Sequence, residues 1–320
     1  MFNYGFQTKK SYLFFMKQKS IQRISTCIAL LFLGGAVWLV SSEFKKIGVQ
    51  SVFHLISKTP LHVLSAALCF TFLDYIMLSG YDFSALSYIG KKVPFLKVIT
   101  NAMISFSVTN TTGHSYAAGG SLRYLLYRKA GLEELDVFKM IAFESLTFLL
   151  GMIGIFNGAL LLCFLLKTPV RNFSSFCLIA FIVDFLFLCY CFIMPNRQFH
   201  TKHFQIKIPS LKQTGLQMLI GSLDIACVSL VFYTILNFHV KTSAAYCFVI
   251  FILAQLIGLC TQVPGGLGVF EASFLSLFSH TPEQKGGILA ALLTFRIIYY
   301  FVPLFISSLY LMLRSLAKKL

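Results

Sequence analysis

Apolar segments of membrane-spanning length recur along the whole chain and limit the folds open to it. The uninterrupted ones lie near residues 24–40, 61–80, 137–166, 173–194, 215–238 and 287–313. A helix needs about 20 apolar residues to cross the roughly 30 Å of hydrocarbon in a bilayer. Because backbone polar groups must be hydrogen-bonded internally at that depth, these segments are predicted to be transmembrane helices.

The composition fits a bilayer as the surrounding solvent. Hydrophobic residues make up 57% of the chain and charged residues 12%, against about 25% charged in a typical soluble domain. The net charge is +16, but no soluble basic module accompanies it, which excludes nucleic acid as a partner. The 9 cysteines lie almost entirely in apolar runs without a CxxC pair, so we expect neither disulfides nor zinc.

Two further apolar segments, near 94–122 and 243–279, are interrupted in the middle. The first break reads TTGHSYAAGG (111–120) and the second reads TQVPGGLG (261–268). Such breaks are tolerated at membrane depth only where protein or water covers the freed backbone groups, and they indicate re-entrant hairpins. The predicted fold is an all-α polytopic membrane protein with six full spans and two re-entrant helical hairpins, about eight membrane segments in all.

The distribution of Lys and Arg predicts the orientation. Residues 1–23 form a basic tail, and no small-residue cleavage site follows the next apolar segment, so 24–40 is interpreted as an uncleaved first span. With both hairpins in place, most basic loop residues fall on one side, which is then cytoplasmic together with both termini. The domain at 24–315 then consists of two halves, about 24–166 and 173–313, which form an inverted repeat.

Four charged residues in or beside these apolar segments stand out: Arg123, Glu144, Glu271 and Arg296. A charge in hydrocarbon costs at least about 2.5 to 3.5 kcal/mol, which makes each a candidate functional residue. The arginine forks suit a lipid phosphate, and the carboxylates suit a cationic headgroup or a proton. The alternative is that Arg123 with Glu144, and Glu271 with Arg296, are buried ion pairs that hold the hairpins. The two interpretations are compatible.

The breaks add backbone groups to this site. Half-helix N-termini present N–H groups and a positive dipole end to an anion, and glycine lets a headgroup approach the backbone. The alternative is that the glycines only make tight turns. The candidate break residues are Gly119, Gly120, Pro264, Gly265, Gly266 and Gly268, with Asn110, His114 and Gln262 as secondary polar groups.

Three aspartates also lie inside apolar runs: Asp74, Asp184 and Asp224. They are candidates for a proton relay or for contact with a polar cavity, and interhelical hydrogen bonding is the simpler use. Gly154 and Gly158, with Gly151 one turn earlier, predict close helix packing.

Motifs for soluble catalysis are missing from the sequence: it contains no GxxxxGK[ST], GxSxG or HExxH pattern. We therefore expect no cofactor and no metal site.

Several stretches resemble the flippase-like transmembrane region of the lysylphosphatidylglycerol synthase family, the bacterial multiple peptide resistance factor group. They are SYAAGGSLRYLLYRKAGL (115–132), TQVPGGLGVFEASFLSLF (261–278) and LLTFRIIYYFVPL (292–304), and LDYIMLSGYDFSAL (73–86) is similar to the bifunctional branch. The resemblance covers roughly 20–315 and implies a bacterial inner-membrane lipid flippase with Arg123, Glu271 and Arg296 at motif positions. Since the chain stops at Leu320, it also implies a stand-alone form without the aminoacyl transferase domain, and so no enzyme.

We therefore expect a lipid translocase for phosphatidylglycerol or its aminoacylated form, with membrane lipids as partners and a homodimer left open. The alternatives are a secondary carrier for a small solute and a non-catalytic membrane subunit of an enzyme that modifies lipids or lipid-linked sugars. A lateral opening toward lipid would favour the translocase, and a water-lined cavity closed to lipid would favour the carrier.

Overall fold

A computed structural model describes residues 49–112, 118–166, 209–261, 263–278 and 281–317, the positions 179, 182, 186, 189 and 190, and two short strands. The described part is helical apart from these strands, which pair antiparallel. The elements are α1 (Val49–Ser57), α2 (Leu61–Ile89), α3 (Phe95–Thr112), α4 (Ala118–Arg128), α5 (Glu134–Leu165), β1 (Gln198–His200), β2 (Gln205–Lys207), α6 (Leu211–His239), α7 (Ala244–Cys260), a 3-10 turn (Pro264–Gly266), α8 (Val269–Leu277), α9 (Gln284–Phe295), a π-helical segment (Arg296–Phe301) and α10 (Val302–Ala317).

Long apolar helices occupy four of the six predicted spans. They are Leu61–Ile89, Glu134–Leu165, Leu211–His239 and the continuous run Gln284–Leu313. Large apolar side chains cover their outer surfaces, such as Phe72, Leu161 and Phe305, as lipid contact requires. The tail 1–23, the span 24–40, Asp184 and most of the span 173–194 lie outside the described residues, so the full span count stays a prediction.

Both interrupted segments form two helices on either side of a break. In the first segment α3 packs against α4, and in the second α7 packs against α8. The two arms of each segment therefore lie side by side, which is the arrangement of a helical hairpin. Entry and exit through one membrane face stay predictions for both.

The helix ends follow local sequence signals. Ser210 accepts a hydrogen bond from the backbone N–H of Gln213 and so caps α6, and Gln213 bonds back to the Ser210 N–H, a capping box. At the C-terminal end of α2, Gly90 adopts a left-handed conformation with φ of 72°. Glycine avoids the energetic penalty that a side chain would carry in this conformation.

Glycines bring α5 and α6 into backbone contact at one point. A Cβ on Gly151 would lie 2.1 Å from the backbone of Gly221, and a Cβ on Gly154 would lie 2.9 Å from the Ser222 hydroxyl. Gly158 has open space around its Cα. The predicted close packing is therefore present at Gly151 and Gly154, and it does not extend to Gly158.

The largest buried core lies where α6, α7, α8 and α9 meet. The Phe232 ring packs at centroid distances of 5.5 Å from Phe251, 4.8 Å from Phe274 and 5.4 Å from Phe295. This aromatic contact fixes both arms of the second interrupted segment against α6 and α9. The second break is thereby held beside the polar centre of the protein.

Candidate functional site

A central cavity of about 280 Å³ lies between the two interrupted segments. Both breaks border it, the first through Gly120 and the second through Gly265 and Gly266. Its other polar walls come from side chains on several different elements. They include Tyr81, Asn110, Arg123, Glu144, Asp224 and Tyr299.

Arg123 forms an ion cluster in the wall of this cavity. Its Nη2 donates to Asp82 Oδ1 at 2.8 Å, and its Nη1 pairs with Glu144 Oε2. The guanidinium also lies over the Phe106 ring, 4.5 Å from the centroid, a favourable cation–π position. Tyr127 donates its hydroxyl to the second oxygen of Asp82. One arginine therefore faces two carboxylates, and the local charge is negative when both are ionised.

Two polar atoms of this cluster have no hydrogen-bond partner within the described parts of the chain. They are Arg123 Nε and Glu144 Oε1, and both are buried. A buried unpaired donor or acceptor costs about 1 to 3 kcal/mol, and more for a charged group. Both residues line the cavity, so its wall contains one buried donor and one buried acceptor that the described residues leave unused.

Asp82 is a site residue that the sequence reasoning missed. The predicted span ended at residue 80, whereas α2 continues to Ile89 and places Asp82 inside the protein at 0% exposure. The signal was the apolar run after Asp82, which continues the helical pattern. The sequence separation of 41 residues from Arg123 hid the pairing.

Arg296 holds the second break together. Its Nη1 donates to the Gly265 carbonyl at 2.7 Å and its Nη2 to the Gly266 carbonyl at 3.4 Å. Its Nε donates to Glu271 Oε1 at 2.5 Å, and Glu271 Oε2 accepts the Gly268 N–H at 2.7 Å. We call this group the break clamp. The break clamp contains the predicted ion pair and adds hydrogen bonds to the backbone of the break. Arg296 and Glu271 lie behind the residues that line the cavity.

The break clamp also occupies a backbone N–H group at the N-terminus of α8. Glu271 itself caps α8 through the Gly268 N–H, so that N–H is already occupied in this conformation. Arg296 opens the π-helical segment, a local insertion that is frequent at functional sites. Gly265, Gly266 and Gly268 have φ values of 64°, 56° and 77°, a region costly for residues with a side chain.

The two breaks touch each other. A Cβ on Gly265 would lie 2.7 Å from the Thr111 carbonyl oxygen, at the end of α3. Only a residue without a side chain fits between the second break and α3. The two interrupted segments therefore meet at the border of the cavity.

Asp74 and Asp224 form a second polar site on α2 and α6. Tyr299 donates to Asp74 Oδ2 at 2.7 Å, and Tyr81 donates to Asp224 Oδ2 at 2.5 Å. The interhelical hydrogen bonding predicted for these aspartates is therefore present.

The structure brings most of the predicted site residues together. The cavity is bordered by Asn110, Gly120, Arg123, Glu144, Gly265 and Gly266, and Glu271 with Arg296 supports it from behind. The predicted residues Asp74 and Gly268 are not among the described residues that line it. Both ion pairs given as alternatives in the sequence are formed. His114 and Gln262 lie outside the described residues. The predicted contact of these side chains with a headgroup stays a prediction.

Outside the spans, an ion pair joins the end of α2 to the start of α5. The Lys91 ammonium lies 3.0 Å from Asp136 Oδ2, and this hydrogen bond raises the pKa of Lys91. An exposed pair of this kind adds little to stability. It marks the polar end of the helices that carry Asp82 and Glu144.

Comparison with known proteins places this architecture in a family. The sequence profile described as the lysylphosphatidylglycerol synthase transmembrane region matches residues 26–307. The uncharacterized protein slr0712 of Synechocystis is 33% identical over 300 residues, which cover 89% of this chain and 88% of that protein.

Two further relatives differ in how much of their length is matched. The inner membrane protein YbhN of Escherichia coli is 27% identical over 299 residues, 91% of this chain and 92% of its own. A phosphatidylglycerol lysyltransferase of Staphylococcus haemolyticus is 25% identical over 240 residues, 72% of this chain but 27% of that enzyme. With long apolar helices and a match over most of its length, this membrane protein belongs to the lysylphosphatidylglycerol synthase transmembrane-region family.

Proposed function

We propose that this protein translocates a phospholipid across the bacterial inner membrane, with the headgroup passing through the central cavity and the acyl chains remaining in lipid. The observation that carries the proposal is the pair of unused atoms in the cavity wall, Arg123 Nε and Glu144 Oε1, which lack partners among the described residues. An arginine donor suits a phosphate oxygen, and a carboxylate oxygen suits an ammonium. A phospholipid that carries an amine presents both groups.

The size and position of the cavity fit a lipid headgroup rather than a whole lipid molecule. Its volume of about 280 Å³ lies just below the roughly 300 to 1,000 Å³ of pockets that enclose drug-sized ligands. Leu149 lines the cavity and is also 48% exposed. A cavity that reaches an exposed apolar side chain on a long apolar helix gives a headgroup lateral access, which favours a lipid substrate over a small solute.

Charge favours an aminoacylated or other amine-bearing phospholipid over plain phosphatidylglycerol. Arg123 is already paired with Asp82 and Glu144, and Asp224 adds a further carboxyl group to the wall. An anionic headgroup would add to this excess of negative charge. A cationic amine beside Glu144 would reduce it.

Alternating access requires two parts that move against each other about the site. We assign these parts to the halves 24–166 and 173–313, each of which carries one re-entrant hairpin. Both termini of the whole chain are cytoplasmic in this arrangement. The contact of the two breaks at Gly265 and Thr111 is the natural point about which they move. The break clamp at Arg296 keeps the second break rigid during such a motion.

The test is lipid translocation by purified protein in proteoliposomes. Phosphatidylglycerol and lysylphosphatidylglycerol carry the same fluorescent acyl chain, and a membrane-impermeant reductant bleaches whatever reaches the outer leaflet. We expect faster translocation with the protein than in protein-free vesicles, and a faster rate for the lysyl lipid. Glu144→Gln is expected to lose this preference, because it removes the carboxylate next to Arg123.

Glu134→Gln is the matched control, since it makes the same charge change at an exposed position on the same helix. Correct insertion of all three proteins is checked by equal protease protection. If well-inserted wild type moves neither lipid faster than empty vesicles, the translocase proposal is wrong. If Glu144→Gln and Glu134→Gln behave alike, the cavity wall does not select the headgroup.

A further inference from the structure

The carboxyl groups of Asp74 and Asp224 lie side by side in the interior. Their residues are 0% and 3% exposed and belong to α2 and α6, two helices that pack against each other. The two carboxyl groups are close enough to act on each other electrostatically. Each accepts a tyrosine hydroxyl at one oxygen. The remaining oxygen of Asp74, Oδ1, is buried and finds no hydrogen-bond donor in the described parts of the chain.

No cation balances this pair within the described residues. The buried arginines are engaged elsewhere, Arg123 with Asp82 and Glu144, and Arg296 with Glu271. The titratable groups that act on the two aspartates are uncharged at neutral pH: Tyr75, Tyr81, Cys227, Tyr299 and Tyr300. Two adjacent ionised carboxylates without a counter-charge are strongly disfavoured in such an interior, and sharing one proton removes the repulsion.

We propose that Asp74 and Asp224 form a proton-binding site that opens on the central cavity, and that its loading and release accompany headgroup movement. Asp224 borders the cavity and takes the proton from water there, whereas Asp74 lies behind it. Uptake of one proton changes the charge of the pair from −2 to −1. The shared proton also gives Asp74 Oδ1 the donor that it lacks.

The geometry favours a proton over a metal cation. The described residues contain no group of three His, Cys, Asp or Glu side chains that would hold a metal ion. Both tyrosines direct their hydroxyl hydrogens at the carboxylates, an arrangement that stabilises negative charge rather than coordinating a cation. A single proton between two oxygens needs no further ligand.

The two tyrosines connect this pair to both halves of the site. Tyr299 belongs to the π-helical segment that begins with Arg296 of the break clamp. Tyr81 precedes Asp82, which holds Arg123. Protonation weakens the acceptor strength of the carboxylates toward both hydroxyls, so it acts on the second break and on the Arg123 cluster together. The movement part of this inference rests on the proposed translocase function.

The proton site is tested directly by infrared difference spectroscopy of the purified protein in lipid, stepped between acid and alkaline buffer. A protonated carboxyl group absorbs at a different infrared frequency from an ionised carboxylate. We expect a protonated-carboxyl band in wild type at neutral pH that is lost or shifted in both Asp74→Asn and Asp224→Asn. Asp136→Asn, on the polar start of α5 and paired with Lys91, is the control and should leave the band unchanged.

Coupling is tested in the proteoliposomes by imposing a pH gradient of either sign. Wild type should translocate at different rates in the two directions, and Asp224→Asn should respond to neither gradient. An infrared band that is absent from wild type, or that survives both aspartate variants, overturns the proton site. A band that behaves as expected with translocation indifferent to the gradient overturns the coupling. Failure of wild type to translocate any lipid would refute the proposed function, while the infrared result would still decide the proton site.

Discussion

Replacement of Gly265 by alanine tests the contact between the two breaks. The residue has a φ of 64°, and a left-handed alanine costs about 1 to 2 kcal/mol. The new Cβ would also lie 2.7 Å from the Thr111 carbonyl oxygen, and forced overpacking of this kind costs about 1 to 3 kcal/mol. Gly265→Ala should therefore lower the free energy of unfolding by about 2 to 5 kcal/mol.

Gly90→Ala separates the two contributions. Gly90 has a similar φ of 72°, but an added methyl group would meet nothing within 4 Å, so this variant carries the backbone cost of about 1 to 2 kcal/mol alone. The assay is the apparent melting temperature at one fixed scan rate, since unfolding of a membrane protein is expected to be irreversible. A thiol-reactive dye reports unfolding by reaching the buried Cys163 and Cys247. Equal melting temperatures for the two variants would refute the contact between the breaks.

Three further predictions test the packing and the ion clusters with the same melting assay. Gly151→Ala places a methyl group 2.1 Å from the backbone of the facing helix and should lower the free energy of unfolding by about 1 to 3 kcal/mol. Gly158→Ala is the control, since its methyl group meets open space and should not destabilise the protein. Equal effects of the two variants would refute the close crossing of α5 and α6. Arg296→Lys keeps the charge but lacks the fork that reaches two carbonyls and a carboxylate, so it should melt several degrees lower, and an unchanged melting temperature would refute the break clamp. Arg123→Gln strands two buried carboxylates at a cost of about 3 to 5 kcal/mol; adding Asp82→Asn should recover part of that loss, and strict additivity would contradict the pairing.

The sequence predicts the spans and the ion pairs because both depend on local signals. Apolar length defines a span, and a charge inside an apolar run needs a partner wherever that partner is found. The tyrosine partners are different, because the bond from Tyr81 to Asp224 crosses 143 residues and the bond from Tyr299 to Asp74 crosses 225. Neither a lone tyrosine in a span nor the π-helical insertion at Arg296 leaves a periodic signal. The tyrosine partners and the π-helical segment therefore follow from the packing of the helices and not from local sequence patterns.

The buried charges connect the proton site to the choice of headgroup. The cationic residues in the described interior are Arg123 and Arg296, and the acidic ones are Asp74, Asp82, Glu144, Asp224 and Glu271. Carboxylates are thus in excess, and only a bound proton or a cationic ligand reduces that excess when the cavity is closed. A proton on the aspartate pair and an amine beside Glu144 would each relieve the same excess, so each should weaken the binding of the other, and linkage makes that weakening reciprocal. Mutual weakening is the condition for exchange: under the proposed function, the amine-bearing headgroup would enter as the proton leaves, and the proton would return after the headgroup has gone.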